Sequence, residues 1–485
     1  MMMLRALRFA GLLILATLVT VPTTGPGKAE NDLCIDCLRV RVGPPVVVRG
    51  PFPDELDSTF TALKLADGSF RGFSANGATY AIDGTSLSDM HGPRREVISV
   101  GETGGPADCG HWLNTAMRSG DEIFGFVHQE SDCDYSEGRT HKSMAIAASS
   151  DDGLSWSAPD TVITGRDAPQ PGQITGEGDC TMINGQDGYL YAYCLRNSDW
   201  QTIAARASVT EPTVWQKYYQ GAWSEPGLGG NATAIGFFGP GAAYIPVHDW
   251  VATVTPDPWF EGVRMSLSTD KISFVDMRDP LIAIDGSEWA RPADTALHAY
   301  ATLLNPSDGS NTIAQDFLLS YIYIPPNKGF KSRYLVHHEV SLSVEETPQQ
   351  VQAGIALTRW IDAKQDTYVT STGPMTGDRH SFQQDAVVAH MLTRAPDGLD
   401  SIKYAECARV SGGRLDHMLM VDERCPEDGF VRERTAGWLF ATEQPGSVPV
   451  YHCLNAASQS HFASNDPDCE GLGDVETLLG YGLAS

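Results

Sequence analysis

One pattern recurs five times between residues 45 and 345: a polar residue opens an apolar run, the chain turns tightly, and a second apolar run returns. Asp57-Ser58-Thr59-Phe60 leads to a turn at Asp67-Gly68 and back through Phe70 and Phe73. Asp108-Cys109-Gly110-His111-Trp112 leads to Gly120-Asp121 and back through Ile123 and Phe126. Asp179-Cys180-Thr181-Met182-Ile183 turns at Gln186-Asp187-Gly188 and returns through Tyr189 to Tyr193. Asn231 opens the fourth unit and Asp294 the fifth. Short apolar runs rich in β-branched and aromatic residues, punctuated by Gly, Asp and Pro, are strands joined by turns. The chain reads as all-β.

The five openings are spaced about 50 to 70 residues apart, the length a propeller blade of four short strands requires. A second signal supports the count. Ser150-Asp151-Asp152-Gly153-Leu154-Ser155-Trp156 and Ser268-Thr269-Asp270-Lys271-Ile272-Ser273-Phe274 share one spacing, late in the second and fourth units, each after an apolar run. Ser and Asp side chains that bond back to their own backbone make such turns. A β-sandwich would also contain Asp-Gly turns. The shared openings, spacing and paired turns favour a five-bladed β-propeller over residues 40–345.

These two turns resemble the Asp-box, a hairpin turn on the rims of propeller sialidases and other glycan-active propellers. Residues 350–485 differ. Tyr404, Cys407, Asp416-His417-Met418, Cys425 and Gly437-Trp438 align with Tyr451, Cys453, Ser460-His461-Phe462, Cys469 and Gly480-Tyr481, and a fainter copy runs from Ala356 to Thr393. Three units of about 45 residues suit a small β-trefoil-like domain. Its closing aromatics resemble the repeat modules appended to secreted bacterial hydrolases, which implies glycan binding or a purely structural tail.

Residues 1–29 read as a secretory signal, with Arg5 and Arg8 ahead of an apolar core from Phe9 to Val21 and a cleavage site near Gly27-Lys28-Ala29. That core is shorter than the roughly 20 residues that span a bilayer. Formal net charge is −27, and loss of three leader cations brings it to about −30. Such a chain repels nucleic acid and anionic membranes, and disfavours a strongly anionic polysaccharide unless one face is locally basic. All ten cysteines lie beyond the leader, most in close pairs such as Cys109/Cys133, Cys180/Cys194, Cys407/Cys425 and Cys453/Cys469. In an oxidising compartment that implies disulfides, with Cys34-Ile35-Asp36-Cys37 a local bridge rather than half a metal site. A secreted monomer, extracellular or periplasmic, with a carbohydrate substrate and no obligatory cofactor is expected.

In a propeller the innermost strands aim their first residues at a central channel, so Asp57, Asp108, Asp179 and Asp294 should converge. Crowded carboxylates repel; one should hold its proton while another stays ionised, the division of labour glycosidic cleavage needs. Here the chain resembles the five-bladed glycoside hydrolases of the arabinanase/xylosidase and invertase-like families. By position, the resemblance implies Asp57 as base, Asp179 as the pKa-tuning Asp and Glu225, in Ser224-Glu225-Pro226-Gly227, as acid. Glu130 is the reserve acid. The family's second Asp usually lies one blade earlier, and no invertase-type Asn-Asp-Pro is present.

His111 beside Trp112, and His248-Asp249-Trp250, pair a hydrogen-bonding group with an aromatic platform suited to sugars, and Asp108, Asp294 and His298 complete the expected substrate contacts. His298 with the opening carboxylates would suit a structural Ca²⁺, although the spacing does not require one. Gly176 and Gly178 around Asp179 imply a close approach of backbone to another group. The sialidase pattern fits less well, because Arg is sparse at the openings. Two rivals remain: a polysaccharide lyase relying on His111 or His248 and a basic patch, and a lectin keeping the aromatics without the acids. Asp57, Asp179 and Glu225 are expected at one channel mouth, acid and base roughly 6.5–9.5 Å apart for inversion or about 5–5.5 Å for retention.

Overall fold

A computed structural model describes residues 33–54, 56–237, 241–257, 262–283, 295–421 and 424–484. The expected leader and Asp294 lie outside the described residues. Among these residues the structure is strands and turns, with single 3-10 turns such as Tyr135–Glu137 and Phe330–Ser332. No described helix is long and apolar enough to cross a membrane.

Four antiparallel meanders follow in order. The first runs Thr61–Lys64, Phe70–Asn76, Ala78–Gly84, Arg95–Ile98. The second runs Gly110–Ser119, Glu122–Asp134, Arg139–Ser149, Asp160–Thr164. The third begins Ile174–Asn184, Tyr189–Arg196, Gln201–Ser208 and ends at Trp215–Tyr219 and Ala222–Pro226. The fourth holds Gly241–Ile245, Trp250–Asp257 and Gly262–Ser268, edged by Val275–Asp276. A fifth unit, Leu297–Leu304, Asp316–Ile324 and Tyr334–Val344, takes its outer strand from the other end of the chain: Leu38–Arg49 pairs antiparallel with Tyr334–Val344.

Burial follows strand position. Tyr189–Arg196 is buried on both faces through its middle, as expected of a strand between two packed sheets, whereas Ala222–Pro226 alternates exposed and half-buried. Apolar side chains join each sheet to the next. Leu63, Phe73 and Ile98 meet Leu113 and Val127; Phe126, Met144 and Ile163 meet Met182, Leu190 and Ile203; Ile183 and Tyr193 meet Ala242 and Val251. The fourth sheet is tied to the fifth unit by backbone bonds from Tyr244 to Asn311 and from Ile313 to Tyr244. Phe60, Ala62 and Ile82 of the first sheet then pack on Leu297, Leu318 and Leu335 of the fifth. Burying each such side chain contributes roughly 1.5–3 kcal/mol.

In each Ser/Asp turn one Asp side chain accepts from two amides of its own turn, three and four residues on in the first and two and three residues on in the second. Asp151 accepts from the amides of Leu154 and Ser155, and Asp270 from those of Ile272 and Ser273. Trp156 packs edge-on against Phe73, and Phe274 against Tyr193. Lys271 stands at φ +69°, where the first turn has Gly153 at +79°. Its ammonium lies 3.4 Å from both Asp187 and Asp249.

Beyond residue 350 the same three-strand arrangement occurs three times: Ala353–Asp362, Thr367–Ser371, Gln383–Leu392; then Ser401–Ser411, Arg414–Val421, Val431–Phe440; then Ser447–Leu454, His461–Ser464, Asp474–Leu483. Val40–Val42 pairs in parallel with Ala353–Ile355, joining this region to the fifth sheet. All ten cysteines form neighbouring disulfides, Cys34–Cys37, Cys109–Cys133, Cys180–Cys194, Cys407–Cys425 and Cys453–Cys469. The last two sit at matching places in two repeats, and Cys180–Cys194 staples adjacent strands.

Candidate active site

Three carboxylates from three successive strand units gather at one place, the second and third units joined by the parallel pairing of Ile174–Gly176 with Thr140–Lys142. Asp57 leads into the first sheet, its amide bonded to the Ala75 carbonyl. Glu130 sits near the end of the Glu122–Asp134 strand. Asp179 sits in a bulge of Ile174–Asn184 between Gly178 and Thr181, at φ +51°, a left-handed conformation uncommon for a non-glycine residue.

Strand alternation puts His128 and Glu130 on one face. His128 Nδ1 accepts the Asp179 amide at 3.0 Å, which leaves the proton on Nε2. That Nε2–H faces Glu130 Oε1 at 3.2 Å and stands 3.9 Å from Asp179 Oδ1. Lys142, on the next strand, lies 2.7 Å from Asp179 Oδ2 and 3.5 Å from Glu130 Oε1. Tyr135 donates its hydroxyl to Glu130 Oε2 at 2.6 Å, and Thr140 donates to the same oxygen at 3.3 Å. Asp57 pairs with Arg333 and accepts from Tyr300 at 3.3 Å.

Two glycines make this packing feasible. A Cβ on Gly178 would stand 2.6 Å from the His128 ring, and one on Gly176 only 2.1 Å from the Lys142 carbonyl. Gly176 is also at φ +82°.

The carboxylates are pushed apart in acidity. Burial raises Asp57 above the usual carboxylate range; Arg333 opposes this, and the Glu130 and Asp179 charges reinforce it. Burial pushes Glu130 upward too, but Lys142, His128 and Tyr135 outweigh it and hold the group well below that range. In Asp179 burial is likewise overcome by Lys142 and His128, and the group is lowered. Lys142 in turn stays firmly protonated, because the two carboxylates outweigh its burial. The site therefore contains one carboxyl biased to keep its proton beside two held ionised. Lys142 and Arg333 supply the positive charge that a cation would bring to these acids.

Three solved structures are similar in shape. The catalytic domain of a GH62 α-L-arabinofuranosidase from Coprinopsis cinerea shares 12% identity over 63% of this chain and 98% of its own, with a TM-score of 0.42. An α-L-arabinofuranosidase from Podospora anserina, in complex with cellotriose, shares 8% over 63% and 97%, TM-score 0.42. A family 117 glycoside hydrolase from Zobellia galactanivorans shares 10% over 64% and 92%, TM-score 0.42. No family model and no curated protein matches the chain. Likeness of this degree assigns it neither family nor activity.

The other expected residues stand elsewhere or play supporting parts. Glu225 is not with the cluster. It lies on the edge strand Ala222–Pro226, four strand spacings from Ile174–Asn184, which is about 19 Å at ~4.8 Å per strand. Its carboxylate accepts from the Asn231 amide and side chain at 2.8 and 2.9 Å. The expectation that it joins Asp57 and Asp179 fails because the chain runs one strand further outward than a four-strand unit. Asp108 is half-buried and accepts from the Gly104 amide.

His111 is a satisfied core residue, one nitrogen against the Ser99 carbonyl at 2.7 Å and the other against Gln129, and burial lowers its pKa. Trp112 is buried behind His128, ring centroids 5.5 Å apart. His248 and Trp250 stack on each other in the hairpin after Gly241–Ile245. The intervening Asp249 faces Lys271, which also faces Asp187 in the turn at the far end of the Asp179 strand. They occupy the opposite end of the sheets from the carboxylates. His298 is buried between Tyr321 and Tyr323, and Tyr300, at a bulge two residues on, reaches Asp57 in its place. Sequence reading missed Lys142, Tyr135, Tyr300, Arg333 and the role of His128. Only His128 carried a signal, through its i, i+2 relation to Glu130.

Proposed function

We propose that this chain is a secreted glycoside hydrolase working by carboxylate acid/base chemistry at the Asp57–Glu130–Asp179 cluster. The observation that carries this reading is the geometry of these acids, Glu130 and Asp179 sharing Lys142 and His128 while Asp57 faces Arg333 and Tyr300. Asp57, raised by burial, is the proton donor to the departing oxygen, in contrast to the base role its position implied. Glu130 and Asp179, kept ionised by Lys142 and His128, provide the base or nucleophile and stabilise the positive charge that develops on the sugar ring. Asp57 thus takes the acid role that position implied for Glu225, and Glu130, the reserve acid of the sequence reading, serves as base or nucleophile.

The successive packing of five strand units, the last on the first, supports a five-bladed β-propeller with Leu38–Arg49 closing the final blade. The threefold repetition beyond residue 350 supports a trefoil-like accessory module, and the paired Ser/Asp turns support an Asp-box origin. The disulfides fit the expected export. A lyase using His111 or His248 as base is disfavoured, since the first is internally satisfied and the second sits at the far end.

Incubation with a panel of polysaccharides tests the reading. New reducing ends without an ultraviolet-absorbing unsaturated uronate are expected. The unsaturated product would instead establish a lyase, and binding with no cleavage a lectin. Activity should peak on the acid side of neutrality: it falls as pH rises through the pKa of Asp57, and on the acid side only well below the ordinary carboxylate range.

A further inference from the structure

Among the described residues four aromatic side chains are exposed: Phe52, Tyr135, Trp200 and Phe330, at 57%, 64%, 45% and 55%. The other exposed large apolar residues are Val and Leu. All four aromatics stand at the end of the sheets that carries the carboxylates. A single apolar side chain left in water is ordinary, whereas several of one kind around one opening mark a binding surface.

Each is tied to the cluster. Tyr135 donates its hydroxyl to Glu130, which fixes the ring beside that acid. Phe330 precedes Arg333, whose guanidinium lies 5.9 Å from the Phe330 ring centre and pairs with Asp57. Phe52, shortly before Asp57, bonds its amide to the Lys331 carbonyl and has the Lys331 ammonium 5.2 Å from its ring centre. Trp200 ends the turn after Tyr189–Arg196. In that turn Asn197 gives both its amide and its side chain to the Gly176 carbonyl, at 3.0 and 3.2 Å, beside the Asp179 bulge. Asp199 holds Arg196 through both carboxylate oxygens. Trp200 itself is at φ +56°, a left-handed conformation that is costly for a bulky residue and persists where its surroundings impose it.

A flat aromatic face packs well against the C–H face of a sugar ring while the sugar's hydroxyls stay in water. Tyr135 comes from the second strand unit, Trp200 from the third and Phe330 from the fifth, so the rings are spread around the acids rather than stacked at one point. That spread suits consecutive sugars of a chain, not a single one. The cations of the cluster, Lys142 and Arg333, already pair with its acids, and the chain carries a net charge of −27. Both facts favour an uncharged glycan.

We infer that these rings form an aromatic rim that holds a neutral glycan chain of several units across the catalytic opening. The inference rests on the hydrolase reading above and adds the substrate class: a polysaccharide or long oligosaccharide, gripped by stacking beyond the sugar being cleaved.

Affinity electrophoresis of the full chain in native gels containing arabinan, xylan, galactan or mixed-linkage β-glucan tests it, with polygalacturonate as the anionic control. At least one neutral polysaccharide should retard the protein, and polygalacturonate should not. Trp200→Ala and Phe330→Ala should each weaken that retardation by about tenfold, and Trp200→Phe and Phe330→Tyr should restore most of it. Val247→Ala, at an exposed residue of the far end, should change nothing. With oligomers of the retarding glycan, two to six units long, KM should fall with length. In the Trp200→Ala/Phe330→Ala double variant that length dependence should vanish while kcat holds. No retardation by any neutral glycan, retardation that survives both alanine variants, or stronger retardation by polygalacturonate would overturn the rim. Retardation is read without turnover, so a chain that cleaves nothing yet loses its retardation in the alanine variants refutes the hydrolase reading alone. One that cleaves glycans with a KM indifferent to length and no retardation refutes the rim alone.

Discussion

At the scale of single residues, Lys142 decides the state of the site. One ammonium faces two carboxylates, and without it Glu130 and Asp179 would repel each other in a buried setting. Lys142→Met should therefore raise both pKa values and move the acid limb of the pH–activity profile to higher pH, which a kcat/KM profile checks. The amide variants Asp57→Asn, Glu130→Gln and Asp179→Asn should each lower kcat by roughly 10²–10⁴-fold while secretion and folding persist. They separate by leaving group. Asp57→Asn should be largely spared on an aryl glycoside whose leaving group needs no proton, and the other two should not. Equal losses on both substrates would reassign Asp57. Asp57 and Asp179 were legible in the sequence as acids at unit openings, and Glu130 as a reserve acid at the end of a strand. Their roles were not, because acidity is set by Lys142 and Arg333, which approach from other parts of the chain, and by His128, whose contact with Asp179 crosses between strands.

At the scale of the strand, the bulge at Asp179 and its flanking glycines position the site. Gly178→Ala would drive a methyl into the His128 ring, displacing the imidazole that bonds both the Asp179 amide and Glu130. A loss of kcat with a smaller change in thermal midpoint is expected. The hairpin carrying Asp179 is also stapled, by Cys180–Cys194. Replacing both cysteines by Ala should lower stability by about 2–4 kcal/mol in urea denaturation, a change opposite in pattern to Gly178→Ala because the catalytic groups remain in place. The position of Glu225 shows where reading units by spacing fails. The third sheet adds Ala222–Pro226 beyond its fourth strand, and no feature of Trp223-Ser224-Glu225-Pro226 marks it as an outer edge rather than a channel strand.

At the scale of the whole molecule, buried histidines govern response to acid. Burial lowers His337 to about 3 and His338, His390 and His452 to about 4, against an ordinary value near 6.5. The unfolded chain therefore binds more protons than the folded one between those limits, so stability is full above about 6.5 and is lost as pH falls towards 4. Glu177 acts oppositely: burial raises it to about 7, so its contribution falls as pH rises through 4.5 to 7. With His111 also lowered and Asp57 also raised, the histidines outnumber the raised carboxyls and predict a urea midpoint that drops on acidification below pH 6.5; a flat midpoint down to pH 4 would refute this.

Much of the architecture follows from local chemistry. Alternating apolar residues and Asp/Gly turns point to strands and hairpins, since these depend on residues a few positions apart, and the close cysteine pairs point to disulfides while leaving their connectivity open. Which ends of the strands face one another is different. It depends on packing between sheets, and it moved His248 and Trp250 to the far end, replaced His298 by Tyr300, and brought Lys142 and Arg333 to the acids. Those outcomes rest on contacts between residues far apart in the chain, where bulges and extra strands shift register and no local pattern records the result.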